Sequence, residues 1–480
     1  MHSTIDASVG TPLILKGGRW LFTAEEKRNM TETNNTLWIR NPLACADAGA
    51  VGGVVVSGSR IVEKIPAGGQ PSQLVDATFD ASGHVLLPGL VNTHHHFYQT
   101  LTRAYSAALN KELFPWLTTL YDVWANLDAE QLALASELAM VELLMSGCTT
   151  VADHHYVFSG ALTHAIDCQV ETAQRLGVRA ALTRGSMSVG RDDGGLPPQS
   201  VVQNEQTIID DSQRLIDRYH QRGDGAMTTI ALAPCSPFSV SRELMHESAR
   251  LAETNDVRLH THLAETEDET TYCQKLFGMR PLDYLEACNW LTDRTWLAHG
   301  IHFNDNEIAR LGRAGTGIAH CPSSNMVLGS GLCRTLELEA AGSPVGLAVD
   351  GSASNDHSNL AEEMRQALLL GRLRYSPSAV THQAVIRWAT QGSARCLGRN
   401  DIGGLEPGQQ ADIALFKLDE PRFSGAENPL AALLLCGAHR ADRVMVAGRW
   451  RVSDGQPCEI DLESLMARHD SAARRLRHVL

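Results

Sequence analysis

From Val85 onward the chain repeats one unit: a short apolar or β-branched run followed by a stretch with helical periodicity. The runs fall at residues 85–91, 148–152, 178–183, 229–233, 257–261, 295–298, 316–319 and 345–349. This alternation leaves few solutions, because parallel strands need a crossover between them and the crossover helices must cover the sheet. The reading is an α/β fold with a (β/α)8 TIM-type barrel. One intervening helix shows the local grammar. Asp128 followed three residues later by Gln131 is a capping-box variant, Leu132, Leu138 and Met145 help mark its apolar face, and Gly147 ends it just before CTTVAD.

The two ends of the chain have another rhythm. LILKGG, GGVVVSGSRIVEKIPAG and LVDATFDASG before the barrel, and GGLEPGQQADIALFKLD and DRVMVAGRWRVSDGQ after it, read as short strands joined by glycine turns. Together they are expected to close one small β-sandwich domain. The expected division is residues 1–84 and 403–480 for the two parts of that domain, with residues 85–402 for the barrel. Residues 24–36, AEEKRNMTETNNT, read as a polar loop with no assigned role.

Composition narrows the function. At 480 residues and 43% hydrophobic, the chain can build one large core plus an accessory domain. A net charge of -14 argues against nucleic acid or an anionic membrane as partner, since both demand a basic face. A small-molecule substrate is expected. The 11 cysteines are scattered with no CxxC pair, as suits reduced thiols. With no signal-like N-terminus and no membrane-length apolar stretch, the expected compartment is the cytoplasm.

Chemistry is expected where barrel enzymes place it, at the carboxyl ends of the strands. VLLPGLVNTHHHFYQ ends its apolar run in three histidines. Side chains alternate along an extended backbone, so His94 and His96 point one way and His95 the other. The fifth run ends in HTHLAE, the sixth in LAHG, the seventh in AHCPSSN and the eighth in VDGSASND. A single histidine pair would suit a polar loop better, since most histidines are not ligands. Five such strand ends on one rim point to a metal site.

The set PGLVNTHHHFYQ, HTHLAE, LAHG, HCPSSN and VDGSASND resembles the amidohydrolase superfamily, in its deaminase and triazine-hydrolase branch, over nearly the whole chain including GGLEPGQQADI. The resemblance implies that His94, His96, His262 and Asp350 hold one divalent cation, zinc ahead of iron, with an open position for water. Two-metal members need a bridging lysine after the fourth strand. ALAPCSPFSV has none, which implies a mononuclear site. Asp350 with His299 would accept the proton of the nucleophilic water, and Glu265 would carry protons to a ring nitrogen and the departing amine. His260 is expected to pack behind the ligands, and His95, His302 and His320 to be structural. Glu267, Asp268 and Glu269 are expected to be a solvated helix start.

Gln99 has the place of an amide that bonds a ring carbonyl in guanine-type deaminases. Trp116, in the aromatic insertion LTRAYSAALNKELFPWLTTLYDVW, and Tyr156, in ADHHYVF, are the expected walls for a planar heterocycle. Within the branch, HHHFYQTLTRA, LFPWLTTLY and ADHHYVF resemble the 8-oxoguanine deaminases, which implies conversion of 8-oxoguanine to uric acid and ammonia by hydroxide attack at C2. Triazine hydrolysis and deamination of isoxanthopterin or guanine are the alternatives. Cys235 stands where relatives acting on S-adenosylhomocysteine carry a histidine, which counts against a nucleoside. A metal-free structural homologue should lack one or more of His94, His96, His262, Glu265, His299 and Asp350, and all six are present. Such barrels commonly pair, so a homodimer is suggested.

Overall fold

The computed structural model describes residues 36–477. Eight parallel strands follow one another around a single sheet in chain order: Leu90–Asn92, Cys148–His155, Arg179–Ser186, Thr228–Pro234, Arg258–Leu263, Thr295–His299, Gly317–His320 and Val345–Leu347. The backbone N–H and the hydroxyl of Thr93 both donate to Leu347 O, at 3.2 and 3.0 Å, joining the last strand to the first. All eight expected runs contribute a strand, and the fold is the TIM-type barrel of the α/β class. Its lower interior is lined by Ala152, Ala181, Ala231, Ala319 and Ala348. Small side chains there leave room for Trp296, which fills the barrel beneath the site.

The helices obey the local signals. The helix Ala129–Met145 opens with the expected capping box, Gln131 N–H donating to Asp128 Oδ1 at 2.8 Å and Asp128 N–H to Gln131 Oε1 at 3.0 Å. Among the described residues, no helix is long and apolar enough to cross a membrane.

Two further sheets face each other as a sandwich. One has the order Arg60–Ile65, Gly53–Ser57, Thr36–Arg40, Ala77–Asp80. The other has the order Gln456–Pro457, Arg449–Ser453, Arg443–Val446, Ile413–Lys417, His84–Pro88, Ala44–Cys45, so it draws on both ends of the chain. Ile39, Val54 and Ile61 of the first pack with Leu86, Ile413 and Met445 of the second. Thr36, the last residue of the expected polar loop, instead opens the strand Thr36–Arg40, whose other residues carried no expectation; LILKGG and residues 24–35 lie outside the described residues.

The apolar run at 85–91 is not one strand. His84–Pro88 pairs antiparallel with Ile413–Lys417 in the sandwich, and only Leu90–Asn92 belongs to the barrel. The switch occurs at Gly89, whose N–H donates to Asp412 O. A Cβ at position 89 would come within 2.2 Å of Thr149 Oγ1, so the crossing needs a residue without a side chain. Both halves are buried, which is why their apolar pattern reads as continuous.

Candidate active site and metal centre

His94 and His96 leave the end of the first strand facing His262 on the fifth, while His95 turns away and its Nε2 meets Ser358 Oγ at 2.8 Å. Hydrogen bonds to carbonyls settle the protonation of the inward rings, because a carbonyl can only accept. His96 Nδ1–H donates to His154 O at 2.7 Å and His262 Nδ1–H to Cys235 O at 2.6 Å. His260 Nδ1–H donates to Trp296 O at 2.8 Å, so its bare Nε2 accepts from His94 Nδ1–H at 2.7 Å. His260 also stacks on Trp296, with centroids 4.3 Å apart. His94, His96 and His262 therefore each turn an unprotonated Nε2 toward one point.

The residues fit a cation. His96 Nε2 and His262 Nε2 stand 3.2 Å apart, lone pair facing lone pair, and His94 Nε2 is buried without a hydrogen-bond partner. Asp350 Oδ1 lies 3.2 Å from His94 Nε2 and 3.4 Å from His96 Nε2. Burial lowers all three imidazoles, keeping them neutral. Burial alone would raise Asp350, but the neighbouring His299, whose own affinity for a proton is raised, opposes it and the carboxyl lies well below its usual range. Two overlapping groups here, His94, His96, His154 and His262, and His94, His299 and Asp350, bring their donor atoms close enough that this histidine/aspartate cluster could hold a borderline-soft divalent ion. His154 also comes close, but its Nε2–H is given to Ala233 O and its ring stacks on His262.

Glu265 and His299 flank this cluster. His299 Nε2 is 3.5 Å from Glu265 Oε2 and 3.8 Å from Asp350 Oδ2, and its Nδ1–H donates to Asn325 Oδ1 at 3.0 Å. Burial would lower His299, yet the carboxylates of Glu265 and Asp350 raise it. Burial raises Glu265, against the opposing effect of His299. Ala264, His299 and Asp350 all have left-handed backbones, at φ 55°, 71° and 62°. Non-glycine residues pay strain there, and such residues gather at functional sites.

One sequence expectation fails here. Glu267 and Asp268 are exposed, but Glu269 is buried and its Oε2 accepts the Glu265 N–H at 3.0 Å. Burial pushes the Glu269 carboxyl up to about 7. At i+4 from Glu265 it turns inward over the first helical turn and fixes the backbone behind that carboxyl.

A small cavity opens above the cluster. Gln99, Trp116 and Tyr156 all line it, as do Glu265, His299 and Asp350. Ala353 N–H donates to Gln99 Oε1 at 3.2 Å, so the amide NH2 is the end left to donate, with the Tyr98 hydroxyl beside it. A Cβ at Gly351 would meet Gln99 Oε1 at 1.9 Å, so this approach requires glycine. Trp116 Nε1–H donates to Ala353 O at 3.2 Å, tying the insertion helix Leu113–Trp124 to the loop after the eighth strand. Sequence reasoning left Cys235 without a role, read Tyr121 no further than a core or dimer contact, and did not single out Phe238 or Asn325. Cys235 lines the cavity, its carbonyl holds His262, and burial pushes its thiol up to about 12, so it stays neutral. Its position at the end of the fourth strand was the available signal. His302 Nε2–H donates to Ser330 O at 2.8 Å, a structural contact as expected.

The model of the amidohydrolase family matches residues 85–451, most of the chain. This protein is a member of the amidohydrolase family. An 8-oxoguanine deaminase from Pseudomonas aeruginosa is 64% identical over 442 residues, covering 92% of this amidohydrolase and 98% of the relative. An isoxanthopterin deaminase from an unknown prokaryotic organism is 34% identical over 406 residues, 80% of this chain and 84% of its own. Among solved structures, an atrazine chlorohydrolase from Arthrobacter aurescens TC1 complexed with zinc superposes with a TM-score of 0.86 at 32% identity, over 91% of this chain and all of its own. The amidohydrolase described here is thus a hydrolase by family, with deaminases among its relatives.

Proposed function

We propose that this amidohydrolase is a metal-dependent hydrolytic deaminase whose substrate is 8-oxoguanine, released as uric acid and ammonia. The observation that carries the reaction type is the buried Glu265 carboxyl beside His299 at the rim of a histidine/aspartate cluster. Loss of an amine needs a proton delivered to nitrogen, and a carboxyl whose affinity for a proton is raised by burial supplies it. The choice of ring rests on the 64% identity to the Pseudomonas enzyme along nearly its whole length.

In this reading His94, His96, His262 and Asp350 hold a single divalent cation, zinc being the ion that three neutral imidazoles and a carboxylate suit best. When bound, the cation supplies Lewis acidity that makes water a nucleophile near neutral pH. Asp350 and His299 take up the proton that the water gives away. Glu265 gives its proton to the ring nitrogen beside C2 as the C–O bond forms; the proton held by Asp350 and His299 then goes to the exocyclic amine, the C–N bond breaks and ammonia leaves, and the added hydroxyl returns its remaining proton to Glu265 as the new carbonyl forms. Gln99 donates its NH2 to the ring carbonyl, and Trp116 and Tyr156 wall the flat ring and exclude water. The catalytic unit is the barrel expected at residues 85–402, except that His84–Pro88 is lent to the terminal sheet and the barrel begins past Gly89. All 11 cysteines are unpaired, which supports a reducing, cytoplasmic setting.

The test is ammonia release from 8-oxoguanine, guanine, isoxanthopterin and an aminotriazine, with zinc-loaded and chelated protein. Metal-dependent release chiefly from 8-oxoguanine is expected. Release chiefly from another ring would overturn the substrate and keep the mechanism, and silence on all four would overturn both.

A further inference from the structure

The insertion helix Leu113–Trp124 roofs the cavity with one stripe. Leu113, Trp116, Leu117 and Tyr121, at i, i+3, i+4 and i+8, all line it. Leu113 and Leu117 have no polar atoms, and Trp116 Nε1–H is taken by Ala353 O. That leaves the Tyr121 hydroxyl. Tyr121 is 1% exposed and its oxygen has no hydrogen-bond partner. Its ring is fixed by edge contacts to Trp124 and Tyr156, with centroids 5.9 and 6.5 Å away, so the hydroxyl cannot swing elsewhere. Its nearest polar groups are the neutral Cys235 thiol, a weak acceptor, and the Ser239 hydroxyl, which already accepts from Ser236 at 3.0 Å; both come close enough to act on the phenol, but neither reaches hydrogen-bond geometry with it. Buried phenols in native proteins find a partner, and one that lacks it while facing a cavity is waiting for a ligand atom.

The barrel's topology says which side of the ligand this is. Gln99 is tied to the loop after the eighth strand, beside the first. Tyr121 sits against Cys235 at the end of the fourth strand, across the rim. A flat ring lying between them offers one edge to each. Burial keeps the phenol protonated, so it donates.

We infer that the Tyr121 hydroxyl is a specificity-determining donor that reads a second oxo group on the heterocycle, on the edge across from the carbonyl held by Gln99. The preferred ligand class is therefore a bicyclic aminoheterocycle with two ring oxo groups. This rests on the deaminase reading above and names the atom that would separate its candidate substrates. A site built to bond an oxygen discriminates strongly against the analogue that lacks it, because the buried donor is then left unpaired.

The experiment compares kcat/KM of wild type and Tyr121→Phe on two matched pairs that differ by that oxo group: 8-oxoguanine against guanine, and isoxanthopterin against pterin. Wild type should prefer the oxo member of whichever pair it turns over. Tyr121→Phe should cut that preference by about tenfold or more while changing the partner lacking the oxo group less than about threefold. Equal losses on both members, or an unchanged preference, would overturn the inference alone. Turnover of the pteridine pair and not the purine pair would overturn the purine reading while the ratio still tests Tyr121. A wild type that prefers the members lacking the oxo group overturns the inference whatever the variant does. Product inhibition gives a second readout: urate should bind wild type more tightly than xanthine, and lose that advantage in Tyr121→Phe.

Discussion

His94 Nδ1 and His260 Nε2 lie 2.7 Å apart, and His260 passes its own Nδ1–H to Trp296 O. Two neutral rings in series thus fix the tautomer of His94 and aim its bare Nε2 at the cluster. His260→Phe should keep the fold, since the site is packed by Trp296, yet weaken metal binding about 10- to 100-fold. Competition with a chelator measures this. His260→Gln, whose amide oxygen can accept the same proton, should recover most of the affinity.

Glu265→Gln removes the transferable proton and keeps the shape. Metal content and thermal stability should match wild type, while kcat falls by about 10²–10⁴. Full metal with near-normal ammonia release would sink the assignment of Glu265 as proton carrier.

Gln99→Glu separates the two ends of that amide. A glutamate oxygen can still accept from Ala353 N–H, but the donor facing the cavity becomes an acceptor opposite the ring carbonyl. kcat/KM should fall by about 10²-fold or more with little change in melting temperature. A comparable loss of stability would instead mark Gln99 as a loop brace.

Stripping the metal should abolish ammonia release and lower the melting temperature, because a ligand that binds only the folded state stabilises it by mass action. His96 Nε2 and His262 Nε2, 3.2 Å apart, would then oppose each other directly. Calorimetry before and after dialysis against a chelator reads both effects, and an unchanged melting temperature would count against the cluster as the metal site.

His155 is buried with neither ring nitrogen in good hydrogen-bond geometry, and burial, opposed only weakly by the Val157 backbone, drives it down to about 3. The unfolded chain takes up a proton at this residue below about 6.5 and the native protein does not. Its stability contribution is complete above about pH 6.5 and is lost as pH falls toward 3. His155→Phe, packing beside Tyr98 and Phe158, should therefore gain about 2 kcal/mol on wild type between pH 7.5 and pH 5. Denaturant melts at the two pH values would show it, and a parallel pH dependence in both proteins would refute it.

The linear order of residues determined the barrel, because eight apolar runs separated by helical stretches admit one economical closure, and it determined which strand ends carry chemistry. His94 and His96 share a direction by the pleat alone. What the tertiary structure decided is everything set by the far side of a contact. The run at 85–91 divides at Gly89 because Ile413–Lys417, more than 300 residues away, captures its first half. Glu269 looks like its solvated neighbours until the loop before it folds back and presents Glu265 N–H. Tyr121 is one aromatic residue among several in the insertion until the helix lies over the cavity and leaves its hydroxyl alone there. Local sequence encodes periodicity and capping, whereas burial and the pairing of polar atoms depend on partners distant in the chain, and only the closed barrel brings those partners together.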